Sequence, residues 1–176
     1  GEKVVRTDRI EMDIEGAATE IPELVGRALS DIPFVLPNDD DLTYCLIDLD
    51  AGSLQFLLEN IEKFEDPMAR TLCWSTAWEM TRAGSMRARD FVALVARGAE
   101  AETELAVLER ILAQAATAQT TYADPEWAKE DTQLARALLA GAHTDDAESS
   151  IVFTQALAGI ALDDASRTFF QDLLQT

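Results

Sequence analysis

Few residues in this chain are of the types that catalyse, and their spacing does not suit catalysis. A zinc hydrolase needs two histidines one helical turn apart, a glutamate to activate water and a further carboxylate ligand downstream. The chain has one histidine, His143, in a polar stretch after Gly141, where it reads as an exposed loop residue. Serine and cysteine nucleophiles need a histidine partner, and no motif ties His143 to either thiol. Cys45 and Cys73 lie far apart in apolar surroundings and outside CxxC spacing, so both are expected as buried free thiols in a reducing compartment. Asp39, Asp40 and Asp41 lack the DxDxDG spacing of a calcium loop and read as turn formers. Neither GxGxxG nor GxxxxGK[ST] occurs, so no phosphate cradle is expected. On these grounds the segment is expected to bind no metal or other cofactor.

The residues better suited to recognition than to catalysis lie in one region. Trp74 and Trp78 are four apart on a helical pattern, which reads either as core packing or as an aromatic ledge facing a partner domain. Arg70, Arg82, Arg87 and Arg89 form the only local basic concentration in the chain. They would either pair with carboxylates at helix ends or dock a peptide carboxylate or a neighbouring domain.

The surrounding composition narrows the partners. Lys plus Arg number 14 against 33 for Asp plus Glu, a formal net charge of −19, with the acids scattered through every segment. Phosphate binding needs a basic footprint that releases counterions, so nucleic acid is excluded as a partner. The acidity reads as solubility or as an acidic chamber favouring cationic substrates. A hydrophobic content of 48% can bury a core. No apolar run approaches the roughly 18 residues that span a bilayer, and no leader opens the chain; a soluble, cytoplasmic segment without membrane contact is expected.

Two halves with different periodicity must position these residues. Ile10, Met12 and Ile14 alternate with charged residues up to Gly16, as in a half-buried strand. Short β-like pieces at Thr19-Glu20-Ile21 and Phe34-Val35-Leu36 are punctuated by Pro22, Gly26, Pro33 and Pro37, with a short helix over Glu23–Leu29 as the alternative. From Leu42 to Asp50 one strand is expected, apolar on both faces and so covered on both. Three or four strands in about 50 residues are too few for a sandwich that protects its own edges. The chain is therefore expected to begin partway through a domain and to self-associate through exposed strand edges.

From Ser53 the period becomes 3.6. Ser53 reads as the N-cap of a first helix carrying Leu54, Leu57, Leu58, Ile61 and Phe64. Asp66-Pro67 opens a second, which runs to Gly84 with the widest apolar stripe and is expected to be the most buried. A third spans Ala88 to Arg97 with Gly98 as its C-cap, and a fourth Thr103 to about Ala118. Asp124-Pro125 opens a fifth that runs through Trp127, Leu134, Leu138 and Leu139 to Gly141. A sixth covers Asp146 to about Ala161 and a seventh Asp164 to Leu174. Short connections make neighbours antiparallel, giving either an α-solenoid of HEAT-like helix pairs or a globular bundle.

The residues Asn38-Asp39-Asp40-Asp41-Leu42-Thr43-Tyr44, followed by Asp50 and Ser53-Leu54, resemble the junction in actinobacterial aminopeptidase N enzymes, zinc-dependent gluzincin exopeptidases, between a small β-sandwich and a large helical domain. Glu65-Asp66-Pro67-Met68-Ala69-Arg70, Trp74 to Trp78, Ala88-Arg89-Asp90-Phe91 and Tyr122-Ala123-Asp124-Pro125 are similar, in the same order, to the endoplasmic-reticulum-aminopeptidase-like C-terminal domain of those enzymes. The resemblance implies that residues 1–50 end a β-sandwich and 51–176 form the N-terminal part of the C-terminal α-helical domain. It also implies a non-catalytic lid and scaffold of a parent that removes N-terminal residues from peptides, with zinc in the parent only. The catalytic domain of the same parent chain and its peptide substrate would be the partners. HExxH, the GAMEN signature and the transition-state tyrosine are absent, so no residue here inherits those roles. A free-standing HEAT-like adaptor that binds a protein partner is the alternative.

Overall fold

The computed structural model describes residues 2–160 and 163–175. Eight α-helices follow one another from residue 51 onward among these residues, and most of them start where a side chain can take up free amide hydrogens. Helix α1 (Ala51–Asn60) is capped by Asp50, whose Oδ1 accepts from the Gly52 and Ser53 amides at 2.9 and 3.0 Å. The cap therefore lies three residues ahead of the one expected at Ser53. An aspartate in the extended conformation satisfies two orphan N–H groups at once, and Ser53 donates its own hydroxyl to Asp50 at 2.6 Å. These bonds, from the Ser53 hydroxyl above all, hold the Asp50 carboxyl below its ordinary pKa.

Helix α2 (Pro67–Ala83) keeps the Asp66 cap and ends at Gly84, whose φ of 82° is the left-handed conformation that favours glycine. Helix α3 (Ala88–Gly98) ends differently. Gly98 stays at φ −102° inside the helix and does not form a left-handed cap. A Cβ there would meet Ile61 Cγ2 at 2.6 Å and Trp74 Cη2 at 2.9 Å, so the glycine allows close approach and does not terminate the helix. Helix α4 (Leu105–Thr117) runs into a π turn at Ala118–Tyr122, where the Ala123 amide reaches back to the Ala118 carbonyl at 2.9 Å.

The single fifth helix expected from Asp124 to Gly141 is two helices, α5 (Pro125–Glu130) and α6 (Gln133–Ala142). Asp131 breaks it: its backbone is extended (φ −73°, ψ 122°) and its carboxylate accepts from the Gln119 side chain at 3.2 Å. Gly141 lies within α6, where a Cβ would sit 2.4 Å from Phe153 Cγ. Asp146 and Asp163 cap α7 (Ala147–Ala158) and α8 (Asp164–Leu173). The end expected for the sixth helix at Ala161 lies outside the described residues, and α7 stops at Ala158.

Packing alternates between two layers. α3 lies against α1 and α6, and α6 against α8, while α4 lies between α2 and α7; the layers join where α3 meets α4 and α6 meets α7. The core consists of the inward faces, with Trp74, Phe91, Leu57, Ile61, Leu94, Leu108, Ile111, Leu134, Leu138 and Leu157 fully buried. α3, not α2, is the central helix, because its apolar stripe meets α1, α2, α4, α6 and the π turn.

The first 50 residues form no sheet among the described residues. The expected strands at 10–16 and 42–50 lack a ladder, and the arm makes a single isolated parallel bridge between Val4 and Phe64. A strand is stable only against a neighbour, and no described segment forms a ladder with these two. The junction stretch is covered on one side only: Leu49 is buried and Ile47 half-buried, while Leu42, Tyr44 and Leu46 are exposed. In place of a Glu23–Leu29 helix there is a one-turn 3₁₀ segment at Pro22–Leu24, stopped by Gly26 at φ 83°. The expected Asp turn is present. Asn38 clasps both the amide and the carbonyl of Thr43 at 2.9 and 2.8 Å, and Arg6 and Arg9 pair with Asp39 and Asp40.

Candidate functional site

The six residues singled out for recognition do not form one surface. Trp74 and Trp78 lie one turn apart on α2 but in different surroundings. Trp74 is 1% exposed, lies under Gly98 and donates its indole N–H to Glu102 at 3.0 Å. Trp78 is half-buried at the rim, with its ring 5.4 Å from Phe91 and 6.0 Å, edge-on, from Tyr122. The pair is therefore not a continuous ledge, and only Trp78 has a face toward solvent.

The arginines divide in the same way. Arg70 is 6% exposed. Its guanidinium donates to both Glu102 oxygens at 3.0 and 3.1 Å, to the Phe64 carbonyl at 2.9 Å and to Thr103 Oγ1 at 3.3 Å. Glu102 Oε1 also accepts the Thr103 and Glu104 amides at 2.9 and 3.1 Å, at the start of α4. Burial pushes the Glu102 carboxyl up, but the hydrogen bonds from Arg70, the Glu104 amide and Trp74 outweigh it and hold the group below its usual range. A planar fork with four of its five N–H groups paired is a structural brace.

Arg82, Arg87 and Arg89 are exposed near the end of α2 and the start of α3. Arg82 pairs with Glu79 one turn back and Arg87 with Asp90 one turn on, and each neighbouring carboxylate raises its partner's pKa. Exposed pairs of this kind are weakly held and can exchange for another anion. Arg89 makes no ion pair among the described residues. Around this corner, Trp78 and Tyr122 form an aromatic pair, and Tyr122 is among the groups that raise the Arg82 pKa, after Glu79. Tyr122 is the last residue of the π turn.

The remaining chemistry-bearing residues show no catalytic arrangement. His143 is exposed, with Nδ1 2.7 Å from the Leu139 carbonyl and its ring 5.1 Å from Phe169. Cys73 is buried, and burial pushes its thiol up to about 12, which makes it inert. Cys45, expected to be buried, is exposed, because burial of the junction stretch begins only at Ile47. Among the described residues no three His, Cys, Asp or Glu side chains converge on a point that could hold a metal ion. No described helix is long and apolar enough to cross a membrane. Sequence reasoning missed Glu102, because one glutamate among 33 acidic residues carries no distinguishing signal.

Comparison with known proteins adds to this geometry. The ERAP1-like C-terminal domain family matches residues 34–175. Aminopeptidase N of Streptomyces lividans is 35% identical over 194 aligned residues, which cover 96% of this chain and 22% of that protein. The chain thus spans about a fifth of the length of this relative.

Proposed function

Because the chain belongs to the ERAP1-like C-terminal domain family, we propose that it is a non-catalytic helical part of a zinc-dependent aminopeptidase. In this reading the parent removes N-terminal residues from peptides, and the helices cover the active-site chamber and limit peptide access. The observation that carries it is the 35% identity to an aminopeptidase N across 96% of the chain. One further observation supports it: the two-layer alternation of helices, which we read as a HEAT-like α-solenoid. Zinc and the HExxH machinery belong to the catalytic domain of the same parent.

Residues 1–50 are the end of a β-sandwich in this proposal and 51–176 the beginning of the helical domain. The unpaired backbone and exposed side chains of Leu42, Tyr44 and Leu46 are the edge that the rest of the sandwich would cover; in the isolated chain the same edge favours self-association. The cytoplasm is the proposed location, in keeping with a free thiol at the surface.

The contacting surface is Trp78, Arg82, Arg87 and Arg89, since the polar atoms of Arg70 and Trp74 are taken up by Glu102. The arginines would receive the substrate's C-terminal carboxylate. Arg82→Ala and Arg89→Ala in the parent should raise KM about tenfold for peptides with a free C-terminus, as expected for loss of a hydrogen bond to a charged group. Amidated peptides should be unaffected. An equal change for both peptide classes would contradict the carboxylate role.

A further inference from the structure

The N-terminal arm meets the helical stack at several places, and one of them is a buried polar cluster. The arm's backbone is tied to the rest of the chain at Val4, whose amide donates to the Lys63 carbonyl at 2.8 Å and whose carbonyl accepts the Glu65 amide at 3.1 Å. Between those two residues lies Phe64. Its ring is buried against Phe34 of the arm, centroids 5.1 Å apart, and its carbonyl accepts Arg70 Nη1 at 2.9 Å. The other edge of the same guanidinium is held by Glu102 in the link between α3 and α4. Glu102 in turn fixes Trp74 and the first amides of α4.

We infer that the Arg70–Glu102 pair is a latch that couples attachment of the N-terminal arm to the seating of α2 on the α3–α4 link. Three physical features make it one. The fork is planar and rigid, so the Phe64 carbonyl and the Glu102 carboxylate are held at a fixed angle to each other. Both side chains are nearly sealed from water, at 7% and 0% exposure, so neither can keep its place once its partner is gone. The arm's remaining polar ties, Lys3 to Glu65, Ser53 to Val35 and Ser85 to Asp48, are single contacts at exposed or half-buried positions. Without Glu102, Arg70 must turn toward solvent; it then releases Phe64, and the bridge at Val4 loses its support. α6 and α7 contribute no residue to the cluster and should not respond. The latch is a property of this chain and does not depend on the aminopeptidase reading.

Amide hydrogen exchange on the full chain tests it. Glu102→Gln should speed exchange at the Val4 and Glu65 amides at least tenfold, while Leu138 in α6 and Leu157 in α7 keep wild-type protection. Unchanged protection at Val4 and Glu65, or equal acceleration in α6 and α7, would overturn the proposal. Arg70→Lys keeps the charge but cannot span both acceptors, and it should give the same local pattern. If Glu102→Gln fails to fold, Arg70→Lys decides by the same criteria.

Discussion

Five donors converge on the carboxylate of Glu102, from Arg70, Trp74 and the amides of Thr103 and Glu104. Its pKa is held below the ordinary 4.5, so the folded state binds this proton less readily than the unfolded chain does. The stabilisation is therefore fully present above the ordinary carboxylate value and is lost as pH falls through the lower, folded value. Removing the carboxylate turns the guanidinium out to solvent and frees the arm, a loss confined to the arm and its attachment. The gap in Val4 amide protection between wild type and Glu102→Gln should be present at neutral pH and should close below the ordinary carboxylate range. A gap independent of pH would contradict the ionised pair. Asp50, Asp146 and Asp163, each held low first by a serine side chain at a helix start, should add to the same acid limb. Comparison with Glu102→Gln removes their contribution, because both proteins carry them.

At the scale of elements, two glycines act by what they leave room for. Gly141 sits within α6 under the ring of Phe153, where a Cβ would approach to 2.4 Å. Gly141→Ala should destabilise by about 1–3 kcal/mol through overpacking. Gly159→Ala, with only the Ala156 carbonyl at 3.4 Å, should change stability far less. Thermal midpoints of the two variants would check this. These same positions show what the sequence could tell. Asp66-Pro67 and Asp124-Pro125 marked helix starts correctly, because capping and the fixed φ of proline are local effects. Gly98 and Gly141 read as helix ends, because a glycine that admits a neighbouring helix has the same letter as one that adopts positive φ. The break at Asp131 was likewise illegible, since it depends on Gln119, twelve residues away. The two-residue period in 10–16 and 42–50 reads as strands, yet a strand needs a neighbour that a single segment cannot specify. In the candidate site, Arg82, Arg87 and Arg89 were legible as an exposed basic corner. Arg70 and Trp74 carried the same letters but serve a buried acid that no spacing announced.

Taken whole, the molecule is an acidic stack of helices in two layers with an extended arm at one end. Helix-on-helix burial supplies the rigidity, since residues such as Leu57, Phe91, Ile111 and Leu138 each contribute roughly 1.5–3 kcal/mol when sealed from water. Such a stack forms a packed wall of helices, which suits the proposed restriction of access. The net charge of −19 would give such a wall a field that draws N-terminal ammonium groups toward it. The most direct measurement of this account uses the parent enzyme, intact and truncated before Ala51, assayed on an aminoacyl anilide and on a long unfolded polypeptide. If the helices limit access, truncation leaves anilide hydrolysis in place and raises the relative rate on the long substrate. An unchanged ratio between the two substrates, with anilide hydrolysis retained, would contradict the lid.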